Sequence, residues 1–186
     1  YGKNIVLGSL YLSSGDTSFI RSTIIDGDST DCTIAIYGNI DSTCRVTGFT
    51  IQNGIGCVYG QGAGIYVESA SPRLDNLIIK NNVGGTNGGG ICLNGNSNSF
   101  INNVVIQNNS ADTGGGLYIS NSSPVITNSV IQNNHSNNGA GVFMELCSPN
   151  FENVSITDNN AISSGGGVYC GLTSYPVLNH VTISNN

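Results

Sequence analysis

The stretch GGGLYISNSSPVITNSVIQNN, Gly114 to Asn134, sets three glycines, one proline and four asparagines around short apolar runs. Residues of this kind punctuate a chain with turns. The stretch also repeats. Glycine clusters open GAGIYV at Gly62, GGGICL at Gly88, GGGLYI at Gly114, GAGVFM at Gly139 and GGGVYC at Gly165, and their last glycines lie 25 or 26 residues apart. A second segment follows each cluster: SPRLDNLIIKNN, NSFINNVVIQNN, SPVITNSVIQNN, SPNFENVSITDNN and YPVLNHVTISNN. Its key isoleucines are Ile79, Ile106, Ile131, Ile156 and Ile183, and FTIQNG (Ile51) and TIIDG (Ile25) are earlier, less regular copies. Roughly seven units of about 25–28 residues result. A unit of that length cannot bury a core alone, so it must stack on its neighbours.

Within each unit the apolar residues alternate with period two, the pattern of strands, and no segment carries a 3.6-residue period. One inward pair is Leu77 with Ile79, repeated as Val104 with Ile106 and Val154 with Ile156. Another set lies two residues after the prolines: Leu74, Ile126, Phe151 and Leu178, with Ile101 matching where Ser99 replaces Pro. A third follows the glycines: Ile65, Ile91, Leu117, Val142 and Val168, each with a partner two residues on. Each unit therefore reads as three short strands. Stacking at ~4.8 Å gives an all-β solenoid of three parallel sheets around a narrow core. The whole chain, 1–186, reads as one domain, less regular over 1–59 and regular over 60–186.

The alternation also predicts an inward column two residues after each key isoleucine: Asn53, Asn81, Asn108, Asn133, Asp158 and Asn185. Stacked amides donate and accept along the axis, so these residues form a ladder; unpaired, each buried amide would cost ~1–3 kcal/mol. A second column, three residues before the isoleucine, holds Asn76, Asn103, Asn128, Asn153 and His180. Asn also tolerates the left-handed backbone that sharp turns need.

With these motifs the chain resembles the right-handed parallel β-helix repeats of bacterial secreted and cell-surface proteins, the superfamily shared with pectate lyases and polygalacturonases. The resemblance is best from Gly62 to Asn186. It implies a right-handed coil, and the preference of parallel crossovers agrees. It implies an extracellular or cell-surface setting and, for the catalytic members, clustered carboxylates. The outward positions beside the key isoleucines are Thr50, Gln52, Ile78, Lys80, Val105, Gln107, Val130, Gln132, Ser155, Thr157, Thr182 and Ser184, without a carboxylate among them. Glycosidic hydrolysis normally needs two carboxyl groups within ~5–9.5 Å. The expectation is therefore a non-catalytic module.

Other chemistry is sparse. Only 9 % of residues are charged, against ~25 % in ordinary soluble domains, and the net charge is -6. Without a basic stripe, a nucleic-acid partner is not expected. No apolar run approaches the ~20 residues of a membrane helix. His180 reads as a ladder substitute and His135 as a solvated turn residue. Asp26, Asp28 and Asp31 in DGDSTD form the one acidic cluster, read as an acidic turn with calcium as the alternative. Six cysteines without a CxxC spacing suit an oxidising compartment better than zinc. Repeat phase favours a Cys32–Cys57 bridge, with Cys32–Cys44 competing. Sequons stand at Asn108, Asn121, Asn134 and Asn153, in a composition that generates them by chance.

The most contact-prone feature is a column of Tyr66, Cys92, Tyr118, Phe143 and Tyr169, placed outward by alternation, one per coil. It reads either as a self-stacking ladder or, at Tyr66, Tyr118, Phe143 and Tyr169, as a platform for polysaccharide or a partner surface. The first residue is Tyr1 and the last motif, VTISNN, is in phase with the repeat, neither flanked by an amphipathic helix. This fits a piece of a longer exported protein, or a subunit whose ends stack head to tail into a filament.

Overall fold

The computed structural model describes residues 3–57 and 60–186. Its strands are all paired in parallel, coil on coil. The largest sheet has 12 strands, with β1 (Val6–Gly8), β4 (Arg45–Thr47), β7 (Arg73–Lys80), β9 (Phe100–Gln107), β12 (Val125–Thr127), β16 (Asn150–Glu152) and β20 (Val177–Asn179) in order. Alongside run β2 (Ile24–Asp26), β5 (Thr50–Gln52), β13 (Val130–Gln132), β17 (Ser155–Thr157) and β21 (Thr182–Ser184). A six-stranded sheet holds β3 (Ile34–Tyr37), β6 (Ile65–Glu68), β8 (Ile91–Asn94), β11 (Leu117–Ser120), β15 (Val142–Glu145) and β19 (Val168–Cys170). The third sheet has three strands, β10 (Ser110–Thr113), β14 (His135–Asn138) and β18 (Asn160–Ser164).

Three sheets were expected, but their composition differs. The strands after the proline and around the key isoleucine merge into one bent sheet, and in β7 and β9 they are a single eight-residue strand. The third sheet comes from the polar residues before each glycine cluster, which carry no apolar alternation to announce them. Registry follows the repeat: Ile25, Ile51, Ile79, Ile106, Ile131, Ile156 and Ile183 pair in succession. Seven members of one column enclose six full turns. The column from Ile51 to Ile156 is wholly buried, as are the glycine-following residues from Ile65 to Val142. All belong to one continuous core. Ser129 enters this core in place of an aliphatic residue, and its hydroxyl is satisfied by donating to the Thr127 carbonyl (2.7 Å) and accepting from the Val104 N–H (3.2 Å).

The asparagine ladder is real but lies one residue further along. Asn81, Asn108, Asn133, Asp158 and Asn185 are exposed and Asn53 is half-exposed, all with φ between 54° and 58°. The residue that follows each asparagine from Asn81 onward turns inward. Asn82, Asn109, Asn134 and Asn159 are buried and run on to Asn186. The reason is geometric: a left-handed residue interrupts the two-residue alternation, so its own side chain points out and its successor points in. Along this column Nδ2 donates to the next coil's Oδ1 at 2.9, 3.1, 3.0 and 2.9 Å. The second Nδ2 proton goes to a carbonyl one coil back, as from Asn134 to Ile106 (3.1 Å). Each Oδ1 also accepts the backbone N–H of the previous ladder residue, as Asn159 does from Asn134 (3.0 Å). The column of Asn76, Asn103, Asn128, Asn153 and His180 is likewise left-handed, with φ of 50–54°. It forms the outer corner of the bent sheet, and His180 is exposed there rather than laddered.

In the first coil, the corner between β1 and β2 is replaced by a short excursion that the sequence pattern did not foretell. It carries α1 (Tyr11–Ser14) and α2 (Ser18–Ser22). Helices of one turn are too short to display a 3.6-residue period. Ile20 is buried, and the Thr50 hydroxyl donates to its carbonyl at 2.8 Å, tying α2 to the sheet.

Cys32 and Cys57 are joined, as repeat phase favoured, with Cα atoms 4.7 Å apart. The bridge closes a loop of 25 residues between the two least regular coils, which stabilises by about 3 kcal/mol on a chain-entropy account. Cys44, the alternative partner, is a buried free thiol.

Candidate functional site

The outer surface of the six-stranded sheet carries the aromatic column. Strand register stacks Ala35, Tyr66, Cys92, Tyr118, Phe143 and Tyr169. Tyr118 and Phe143 lie 5.4 Å apart at 7°, and Phe143 and Tyr169 4.8 Å apart at 5°. That separation matches the ~4.8 Å rise between coils, so the rings stack because the backbone does. Tyr66 meets Tyr37 edge-on at 5.4 Å. The column faces away from the core as expected, yet it is not uniformly accessible. Tyr66 is 4 % exposed and Tyr118 7 %, and with Cys92 they form a second small cluster against which Cys57 and Phe143 pack. Of the four aromatic candidates, only Phe143 and Tyr169 are half-exposed.

The glycine corners close against every ring of the column alike, so the difference comes from neighbouring side chains: Tyr37 and Cys57 against the Tyr66 end, and Glu145 against Tyr118. Gly114 has φ +66°, and a Cβ there would stand 2.8 Å from Cβ of Tyr118, so the chain folds back against the base of the ring. Beside the rings runs a polar column of Tyr37, Glu68, Asn94, Ser120 and Glu145. The Tyr118 hydroxyl donates to Glu145 Oε1 at 2.6 Å. Burial first, then the Glu145 carboxylate, pushes the Tyr118 phenol well above its ordinary value, and burial with Glu68 does the same to Tyr66. Burial likewise raises the Cys92 thiol, so it is an inert spacer rather than a nucleophile.

The remaining candidates disperse. Asp26 accepts from the Asp28 N–H (2.9 Å), Gln52 (2.8 Å) and Asn53 (2.9 Å). Those bonds, Gln52 first, hold its carboxyl below the usual range. Asp31 instead caps the N–H of Cys32 at 2.8 Å. The Asp26 and Asp31 carboxylates thus serve separate turn contacts, and Asp28 joins the first through its backbone N–H. His135 is exposed on β14. The outward row beside the key isoleucines is a side-chain ladder in part, with Gln132 donating to Gln107 at 3.0 Å. Among the sequons, Asn134 is locked in the buried ladder, whereas Asn108, Asn121 and Asn153 are exposed.

Sequence reasoning missed one cluster. Arg45 binds Asp75 through Nε (2.8 Å to Oδ1) and Nη2, and Asp75 also accepts from Asn76 (3.0 Å). The Asp75 side chain is only 2 % exposed, and Arg73 lies 4.8 Å over the Phe100 ring. The 28-residue offset from Ile51 to Ile79 was the available signal: it sets Arg45 against Arg73 and Thr47 against Asp75.

The right-handed β-helix family model matches residues 8–186. The chain belongs to the right-handed β-helix family. This β-helix includes the irregular first coil in the match, starting at the end of β1. No curated protein and no solved structure matches the chain. Among the described residues no helix is long and apolar enough to cross a membrane.

Proposed function

We propose that this β-helix is a non-catalytic structural module of an extracellular or cell-surface protein, acting as a rigid rod. The observation that carries the reading is the closed amide ladder. Asn109, Asn134 and Asn159 each spend both amide protons and both acceptor sites on the coils above and below. The positions repeated most faithfully are thus those that stiffen the axis. The core columns emerge half-covered at the two ends, at Leu7 on one side and Leu178 and Ile183 on the other. A further coil, in whichever chain carries it, would continue them, and self-stacking is one way to supply it. Electron microscopy of the purified chain tests this. Fibres with a repeat of one subunit are expected, and dispersed particles would remove self-stacking. Turnover of polyuronates with calcium would overturn the non-catalytic assignment.

A second reading is supported by the half-exposed, parallel rings of Phe143 and Tyr169 beside Glu145: a polysaccharide-binding face. Flat apolar rings flanked by a hydrogen-bonding carboxylate suit a sugar ring. On this reading, Phe143→Ala with Tyr169→Ala abolishes retention on a glycan array while the circular dichroism stays that of a β-sheet. Retention equal to that of the unaltered chain would sink it.

A further inference from the structure

We propose that Asp31, Cys32 and Cys57 form a redox-gated metal site, which takes a thiophilic divalent ion of the zinc or cadmium type once the disulfide is reduced. The ligand atoms of these three side chains all lie within 4.8 Å of one another, and they are the one such group among the described residues. They arrive from two successive coils, which is why no CxxC spacing marks them in the sequence. The Cα separation of 4.7 Å serves either state. It spans a disulfide, and it allows two thiolates to share one ion, whose sulfurs stand roughly 3.8 Å apart when each Zn–S bond is about 2.3 Å.

The surroundings hold the ligands in place. Asp31 is pinned at both ends: its Oδ1 accepts the Cys32 N–H at 2.8 Å, and its carbonyl accepts the Ile55 N–H at 3.1 Å. A carboxylate oxygen of Asp31 is thereby held within 4.8 Å of both sulfurs. Cys57 donates its N–H to the Gln61 carbonyl at 2.7 Å. The Gln61 side-chain oxygen is itself buried and has no hydrogen-bond partner among the described residues. Two thiolates, one carboxylate and a fourth oxygen from water make a tetrahedral S₂O₂ set. Soft sulfur in that set selects zinc-type ions over calcium or magnesium.

The chemistry balances. An external dithiol gives up two electrons and two protons to the Cys32–Cys57 bond and becomes its own disulfide, leaving two thiols. The arriving divalent ion displaces those two protons as the thiolates bind. Either the covalent bond or the ion then fastens the same two coils, the least regular in the chain, so the clip survives a change of redox compartment.

The test uses the whole chain, reduced with dithiothreitol, desalted anaerobically and titrated with cadmium. One tight equivalent with a thiolate-to-cadmium absorption is expected, displaced by zinc and absent from the oxidised chain. Asp31→Asn, which keeps both thiols, is expected to weaken binding by about tenfold or more, the scale on which lost metal-site partners act. Cys32→Ser with Cys57→Ser is expected to lose that equivalent while the β-sheet circular dichroism persists. No absorption in the reduced chain would overturn the site. So would an equivalent that survives the double serine substitution, or an affinity untouched by Asp31→Asn.

Discussion

Asn134→Ala is expected to destabilise the solenoid by about 3–5 kcal/mol, measured as a fall in the urea midpoint, whereas Asn133→Ala next to it costs about 1–2 kcal/mol. The difference follows from what each amide touches. Asn134 accepts the N–H and the Nδ2 of Asn109 at 3.0 and 3.1 Å, and it donates to the Ile106 carbonyl and to Asn159 Oδ1. Truncation leaves the two Asn109 donors without partners and takes one bond each from the Ile106 carbonyl and from Asn159 Oδ1, which keeps only the Asn134 N–H; orphaned buried groups cost ~1–3 kcal/mol each before relaxation. Asn133 is exposed, and its task is to hold φ +54°. Its loss removes only the left-handed tolerance, so Asn133→Gly is expected to be close to neutral. Equal losses at the two positions would refute the placement of the ladder.

That one-residue displacement shows how far the sequence can be read. The core columns were legible because period-two alternation persists inside each strand, and Ile79, Ile106, Ile131 and Ile156 are buried where it placed them. The Cys32–Cys57 bridge was legible for the same reason, since it needs only coil phase. Alternation fails where the backbone turns left-handed, and the apolar pattern gives no warning of φ. Both members of an Asn-Asn pair look alike in sequence; only the turn decides that Asn133 points out and Asn134 in. The covering of Tyr66 and Tyr118 was illegible on other grounds. It depends on side chains arriving from other coils, Cys57 against the cluster, Tyr37 against Tyr66 and Glu145 on the Tyr118 hydroxyl. The Arg45–Asp75 pair could have been found from the 28-residue offset, but its bidentate geometry could not.

Gly116→Val is expected to prevent folding, and Gly116→Ala to cost about 3 kcal/mol or more, for a reason tied to the same ladder. A Cβ at Gly116 would stand 2.7 Å from the Gly141 carbonyl oxygen, 2.9 Å from Asn134 Nδ2 and 3.0 Å from Ile131 Cγ2. The first is backbone of the neighbouring coil and the second is a doubly bonded amide, so neither can yield cheaply. Overpacking alone costs ~1–3 kcal/mol, and displacing the amide adds the loss of its hydrogen bonds. Gly85 provides the contrast: a Cβ there meets nothing nearer than 3.4 Å, and no positive φ is required. Gly85→Ala is therefore expected to be neutral or to stabilise by up to about 1 kcal/mol through the unfolded chain. A double-mutant cycle separates the two parts of the Gly116 penalty. With Asn134 already truncated to alanine, the amide is no longer there to be displaced. Gly116→Ala should then cost about 1–2 kcal/mol less than in the parent, since residues in one hydrogen-bond network couple on that scale. The clash with the Gly141 carbonyl remains, so the penalty shrinks without vanishing. Strict additivity in the cycle would mean that the glycine corner and the ladder do not touch, against the 2.9 Å separation that joins them.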